Sequence, residues 1–236
     1  MKILHIWDIC DNSNYLTEKL LEQGHKSLVV TRKKSKNYSK KGLVLFYIKV
    51  ISRCLTFRAD IIHINSWDKG ILFAKIFSRK SKILMHFHGS DVLGKTLPNR
   101  IKYADLIGFS TKNIFNEHWF CHKFKPKRLL PVLVPDWFVD MGGRIMGTTL
   151  ELDQDNRIIP YYKMPALLSS YEFYRDKKRR DNITSSEVLS KTGMEALRCG
   201  TKVIVDTGET IHTESDLAFQ LSTIDDYLEL YEGMTN

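Results

Sequence analysis

Two glutamates eight positions apart, Glu187 and Glu195, bracket the stretch of this chain richest in chemistry. Between them runs Ser190-Lys191-Thr192-Gly193, a small polar cluster ahead of the apolar Met194, Ala196 and Leu197. Such a cluster opens a helix. The first N–H groups of a helix lack intrahelical partners, and the peptide dipoles place partial positive charge there, so this end suits a phosphate. Lys191 adds a full charge, and Gly193, having no side chain, lets a ligand approach the backbone. A carboxylate at Glu195 is placed to accept hydrogen bonds from ribose hydroxyls while a diphosphate rests on the helix end, the division of labour of dinucleotide sites. Glu187 stands just outside the helix, facing either the sugar or the phosphates. Arg175, Lys177 and Lys178, in the basic stretch YRDKKRR ahead of the cluster, are expected to help neutralise the diphosphate. The ordinary alternatives are a helix-surface charge for each glutamate and a solvated loop for the basic run.

Those residues need elements to hold them. Apolar runs and helical periodicity predict strands at Lys2–Trp7, Ser27–Thr31, Asp60–Asn65, Lys82–His88, Leu106–Ser110 and Leu129–Val134. Between them lie helices at Asn14–Gln23, Gly42–Phe57, Lys69–Ser78, Asn99–Tyr103 and Thr111–Trp119, with Arg32–Lys41 a basic solvated loop and Gly24 a helix C-cap. Strands alternating with helices at these lengths imply βαβ units and a parallel sheet. The second half is thinner. Strands are expected at Thr148–Leu152, Arg157–Ile159, Glu172–Arg175 and Thr201–Asp206, and helices at Met164–Ser170, Val188–Cys199, Glu214–Leu221 and Ile224–Glu232. A cluster of Pro, Asp and the Gly142–Gly143 pair sets the boundary, giving domains of 1–135 and 136–236.

Charge divides the same way. Residues 1–135 carry 25 Lys/Arg against 9 Asp/Glu, and residues 136–236 carry 11 against 18. The N-terminal half is therefore expected to meet an anionic surface, with nucleic acid and anionic lipid as the two classes. No apolar run reaches the ~20 residues of a membrane span, and Met1–Trp7 reads as a strand with no cleavable signal pattern. The four cysteines, Cys10, Cys54, Cys121 and Cys199, form no CxxC pair and read as buried thiols in a reducing compartment. No HExxH and no Cys/His cluster is present, and the spacing of Asp153 and Asp155 falls in a polar turn, so no metal is expected. Trp67, Trp119 and Trp137 read as core residues before acceptor-groove residues.

The segment SSEVLSKTGMEALRCGTKVIVD, residues 185–206, resembles the E-x7-E signature of retaining, family-four GT-B glycosyltransferases. Glu187 and Glu195 match its glutamates, and Ala196, Leu197, Gly200, Val203 and Ile204 match its tail. MKILHIW, LLEQGHKSLVV, DIIHINS and HFHGSDV look like the family's N-terminal lobe. The resemblance implies two Rossmann-like lobes around a cleft, the second shortened. It gives Glu195 the ribose and Glu187 the donor sugar and phosphates. It places His88, then Asp91, near the donor sugar as catalytic residues, with His86 as substitute. It implies a UDP- or GDP-sugar as co-substrate, no bound cofactor, retention of configuration, and a glycan or lipid-linked acceptor. The location implied is cytoplasmic, including the inner membrane face. Two features depart from the family pattern: Asp11-Asn12-Ser13-Asn14 replaces a Gly-Gly pair, and the Arg…Lys diphosphate clamp is missing, with Gly143-Arg144 its only trace. Those departures keep open a degenerate or partner-dependent sugar-nucleotide-binding homologue. The charge adds a basic nucleic-acid-binding α/β protein as a second alternative. The E-x7-E pair and the missing aromatic-basic motifs argue against it, so nucleic acid is not expected as a partner.

Overall fold

The computed structural model describes residues 1–8, 12–31, 40–88, 92, 95–118, 126–131, 133–152, 161–177, 184–186, 188–217 and 221–236, with backbone alone at 40, 41, 113 and 161. The expected strand at 157–159, most of the basic loop at 32–41, Trp119, Asp153, Asp155, Cys10 and Cys121 lie outside the described residues.

Elements follow the chain as β1 (Lys2–Ile6), α1 (Asn12–Glu22), β2 (Lys26–Val30), α2 (Lys40–Thr56), β3 (Ile61–Asn65), α3 (Gly70–Phe77), β4 (Lys82–Phe87), β5 (Leu106–Phe109), α4 (Lys112–Glu117) and β6 (Lys127–Leu129). They continue as β7 (Ile145–Leu150), α5 (Met164–Ser169), β8 (Tyr171–Asp176), α6 (Lys191–Arg198), β9 (Lys202–Val205), β10 (Thr210–Ile211) and α7 (Ile224–Thr235). Two compact units result. One holds Met1–Ser110, Ile114–Leu133 and Thr223–Asn236, the other Thr111–Asn113 and Val134–Ser222. The reading from sequence grouped 136–236 together, whereas α7 belongs with the first unit.

The first unit is built on a six-stranded sheet in the order β2-β1-β3-β4-β5-β6, with every pair parallel. Side chains alternate between its faces. Leu4, Ile6, Ile62, Ile64, Met85, Phe87, Ile107 and Phe109 pack on one side with Phe46 and Val50 of α2 and Ile71 and Ala74 of α3. Ile3, Ile61, Leu84 and Leu106 pack on the other with Leu16 and Leu20 of α1 and Tyr227 and Tyr231 of α7. Strands covered on both faces read as continuous apolar runs, which is why they were legible. Helix α1 ends at Gly24, whose φ of 79° suits a residue without Cβ, while His25 N–H donates back to the Leu20 carbonyl at 2.9 Å.

The second unit carries a mixed sheet, β10-β9-β8-β7, with β7-β8 and β8-β9 parallel and β9-β10 antiparallel. Helix α6 connects β8 to β9. The chain is thus α/β, with a six-stranded parallel sheet and a second, mixed one.

Several expected elements differ: the strand placed at Thr148–Leu152 lies at Ile145–Leu150, and the helix placed at Asn99–Tyr103 is a 3₁₀ helix. The strand placed at 129–134 pairs earlier, at Lys127–Leu129, because Pro131 has no N–H to donate to a ladder. The helix placed from Val188 begins at Lys191, since Ser190 holds extended φ/ψ and caps it, while Val188 bridges Ser185. Of the helix placed at 214–221, residues 218–220 lie outside the described residues, and Glu214–Asp216 form a 3₁₀ turn closed by a capping box between Thr213 and Asp216. Among the described residues no helix is long and apolar enough to cross a membrane.

Candidate functional site

In the first unit, the face covered by α1 and α7 changes character along the strands. Its amino ends supply Ile3, Ile61, Leu84 and Leu106, and its carboxyl ends supply His5, His63, Asn65, His86 and Ser110. The strand order turns back between β1 and β3, and ligands of open parallel sheets bind beyond the carboxyl ends at such a point. The backbone is strained just there. Trp7, after β1, and Ser66, after β3, have φ of 68° and 53°. Trp67 N–H donates to the Asn65 carbonyl at 2.6 Å, forming a three-residue turn around Ser66. Non-glycine residues in this region cost roughly 1–3 kcal/mol each and cluster at functional sites.

His88 follows β4 at this edge and is half-buried. Its Nε2 lies 2.8 Å from Asn65 Oδ1 and its Nδ1 2.7 Å from Ser110 Oγ. The Asn65 amide orientation is fixed by the Trp7 carbonyl, which only accepts: Asn65 Nδ2 donates to it at 3.3 Å and to Ser13 Oγ at 3.0 Å. Oδ1 therefore accepts from His88 Nε2–H; in the neutral ring His88 Nδ1 is left to accept from the Ser110 hydroxyl, which also lies 3.1 Å from the Phe87 carbonyl. The same logic runs inward. His86 Nε2–H faces the Leu130 carbonyl at 2.8 Å and Ser110 Oγ at 3.1 Å, leaving Nδ1 to accept from His63 Nε2–H at 3.2 Å. His63 Nδ1 then accepts from the Tyr231 hydroxyl at 2.7 Å. One set of neutral tautomers satisfies the whole row from Tyr231 to Asn65. Burial keeps His63 and His86 neutral, holding His86 down at about 3 and His63 well below the usual histidine range. A Cβ on Gly108 would stand 3.2 Å from the His86 ring, so the glycine leaves room for that ring.

In the second unit, Ser190-Lys191-Thr192-Gly193 forms the start of α6, beyond the carboxyl end of β8. Ser190 Oγ accepts from Gly193 N–H at 3.0 Å. Asp176, the last residue of β8, places Oδ2 2.8 Å from Ser190 N–H. A Cβ on Gly193 would lie 2.7 Å from that same oxygen and 2.7 Å from Leu189 Cγ. The space gained by Gly193 is thus taken by Asp176 and Leu189, where the sequence suggested a ligand. Glu195 is buried one turn inside, with Oε1 3.6 Å from Lys191 Nζ. Thr192 is buried too. Arg175 Nε lies 2.9 Å from Glu151 Oε1, and Lys177 Nζ 2.5 Å from its Oε2. Arg144 bonds Asp140 at 3.0 Å and the Cys199 carbonyl at 3.1 Å, so it serves the carboxyl end of α6. Burial pushes the Cys54 and Cys199 thiols up to about 11, as inert core thiols. Glu187, Asp91 and Lys178 lie outside the described residues.

The structure thus gathers Ser190 through Glu195 at one helix start and sets His88 in the other unit's polar edge. It adds residues the sequence did not single out: Asp176, Asn65, Ser110 and Ser13. Only their placement at strand ends and at the start of α1 marked them. Trp67 is half-buried in the core and Trp137 is exposed. No protein-family model matches this chain, and no curated protein sequence matches it either.

Proposed function

We propose that this chain is a sugar-nucleotide-dependent transferase of the E-x7-E, GT-B type, with the nucleotide held by the second unit. The observation that carries the reading is the start of α6. A capped helix leaves the carboxyl end of a parallel strand, with Lys191 and Glu195 paired inside its first turns. That is the arrangement by which α/β proteins seat a nucleotide. Glu195 takes the ribose hydroxyls, and Lys191, released from it, moves toward the diphosphate. Glu187 and the bases Arg175, Lys177 and Lys178 complete the donor side. His88, with both nitrogens engaged, presents a fixed ring to the donor sugar in concert with Asp91, and the departing diphosphate is stabilised electrostatically without a metal. The acceptor, a glycan or lipid-linked molecule, falls to the first unit.

A second reading has its own observation. Asp176 already bonds the start of α6, and the single carboxylate of Glu151 already bridges Arg175 and Lys177. With Glu151 on both bases, less charge is left to stabilise a departing diphosphate, which favours a degenerate or partner-dependent binding homologue without independent turnover.

Thermal shift against UDP, GDP and a short DNA, followed by a donor screen for released nucleotide diphosphate, separates the readings. A nucleotide diphosphate at 100 times its Kd stabilises by about 2.7 kcal/mol. Under the transferase reading that gain disappears in Glu195→Gln, and donor sugar is consumed. A gain without consumption leaves the binding homologue, and a gain from DNA alone overturns both.

A further inference from the structure

Helix α2 spans 17 residues, about 25 Å, and covers the sheet with one side only. Phe46, Val50 and Cys54 face the core. Val44, Ile48 and Leu55 recur at the spacing of one helical stripe on the opposite side, with Leu45 beside them, and each is more than half exposed. Helix α3 packs against α2 and adds two exposed aliphatics, Leu72 and Ile76. Between the two helices Tyr47, Trp67 and Phe73 stack at 5.4–5.6 Å between ring centroids, half-buried, and join the two sets into one surface. Soluble surfaces scatter exposed aliphatics singly; six on two neighbouring helices mark a docking face.

Its charge names the occupant. Neither helix contains Asp or Glu. Lys49 and Arg53 are exposed along one border of the α2 stripe, Lys75 is exposed on α3, and Arg79 and Lys80 follow it. The acidic residue just before α3, Asp68, is paired with Arg100. A second copy of the chain would bring these bases against one another. A nucleic acid would meet aliphatic side chains where it offers phosphates. An anionic bilayer satisfies both parts, since its headgroups pair with Lys and Arg while its acyl boundary takes the aliphatics. We infer that the outer face of α2 and α3 is a docking surface for an anionic membrane, with α2 lying in the interfacial plane. This inference does not rest on the sugar-transfer reading.

The test is flotation of the full chain with vesicles of phosphatidylglycerol and phosphatidylcholine, or of phosphatidylcholine alone. Binding to the anionic vesicles only is expected, weakening as salt rises. Lys49→Gln and Arg53→Gln each lower the partition coefficient by about fivefold. Ile48→Ser with Leu55→Ser lowers it by about tenfold or more even at low salt. All four positions are exposed, so an unchanged urea midpoint establishes that the variants fold. Equal recovery with both vesicles, or anionic binding untouched by either pair, overturns the inference. So does a concentration-dependent dimer, seen by sedimentation and abolished in Ile48→Ser/Leu55→Ser, since a second copy would then own the face.

Discussion

His5 is the residue whose chemistry and surroundings disagree most. Both its ring nitrogens are fully buried without a partner, while His63, 5.2 Å away between centroids, is hydrogen-bonded at both. A buried unsatisfied polar group costs about 1–3 kcal/mol, and replacing it by an apolar group of similar shape is neutral or stabilising. His5→Leu is therefore expected to raise the urea midpoint above pH 6.5, the ordinary histidine pKa. Burial holds His5 and His86 at about 3 and His63 well below 6.5. Below 6.5 the unfolded chain binds protons that the folded chain refuses. Stability is thus complete above that value and falls as pH drops from 6.5 toward about 3. Each ring contributes a slope of about 1.4 kcal/mol per pH unit, so three give about 4. A domain stable by about 5–15 kcal/mol then unfolds within roughly one to four pH units below its histidine range. Acid titration of ellipticity checks this, and His5→Leu should reduce the slope by about a third. No gain in the urea midpoint would show that the His5 ring is satisfied.

At the scale of the element, α6 gives the sharpest expectation, because two effects oppose each other at Gly193. Alanine in a helix gains about 1 kcal/mol over glycine. Its Cβ, however, would sit 2.7 Å from both Asp176 Oδ2 and Leu189 Cγ, and that oxygen is held by Ser190 N–H. Overpacking of that kind costs about 1–3 kcal/mol. Gly193→Ala is expected to destabilise by about 1 kcal/mol, as is Ser190→Ala through loss of the cap. Urea midpoints measure both, and a stabilised Gly193→Ala would mean that Asp176 does not pack there. These contacts also show where the sequence was and was not legible. The strands of the parallel sheet stood out because burial on both faces makes them continuous apolar runs. The pair Glu187 and Glu195 and the cluster from Ser190 stood out because they are local. Asp176 carries no local mark, since a strand's last residue meets a helix start 14 positions later only once β8 and α6 are packed. Asn65 and Ser110 reach His88 from 23 and 22 residues away for the same reason, through parallel register. The hairpin strand β10, two residues long, carries too little periodicity to register.

At the scale of the whole molecule, the chain closes its first unit with its last helix. Periodicity predicted α7 but not its partner, because an amphipathic face specifies that something apolar covers it and not what. The partner is the sheet face of β1, β3, β4 and β5, reached by Tyr227 and Tyr231, both fully buried. Tyr227 O–H donates to the Pro131 carbonyl at 3.1 Å, and Tyr231 O–H supplies the donor for His63. Losing one large buried aromatic costs about 3–5 kcal/mol. Truncation after Ser222 removes two, uncovers Ile3, Leu16, Ile61 and Leu84, and leaves His63 Nδ1 unpaired. Against a total of about 5–15 kcal/mol, that removes cooperative folding of the unit. Truncation and Tyr231→Phe divide the effect. The phenylalanine keeps the packing and deletes only the hydroxyl, so it is expected to cost about 1–3 kcal/mol and leave a two-state transition. Amide hydrogen exchange read at β3 and β4 distinguishes them. Truncation should bring exchange there close to the unfolded rate, whereas Tyr231→Phe should speed it only by the factor its stability loss dictates. Unchanged protection of β3 and β4 in the truncated chain would mean that α7 merely rests on a sheet held by its other helices.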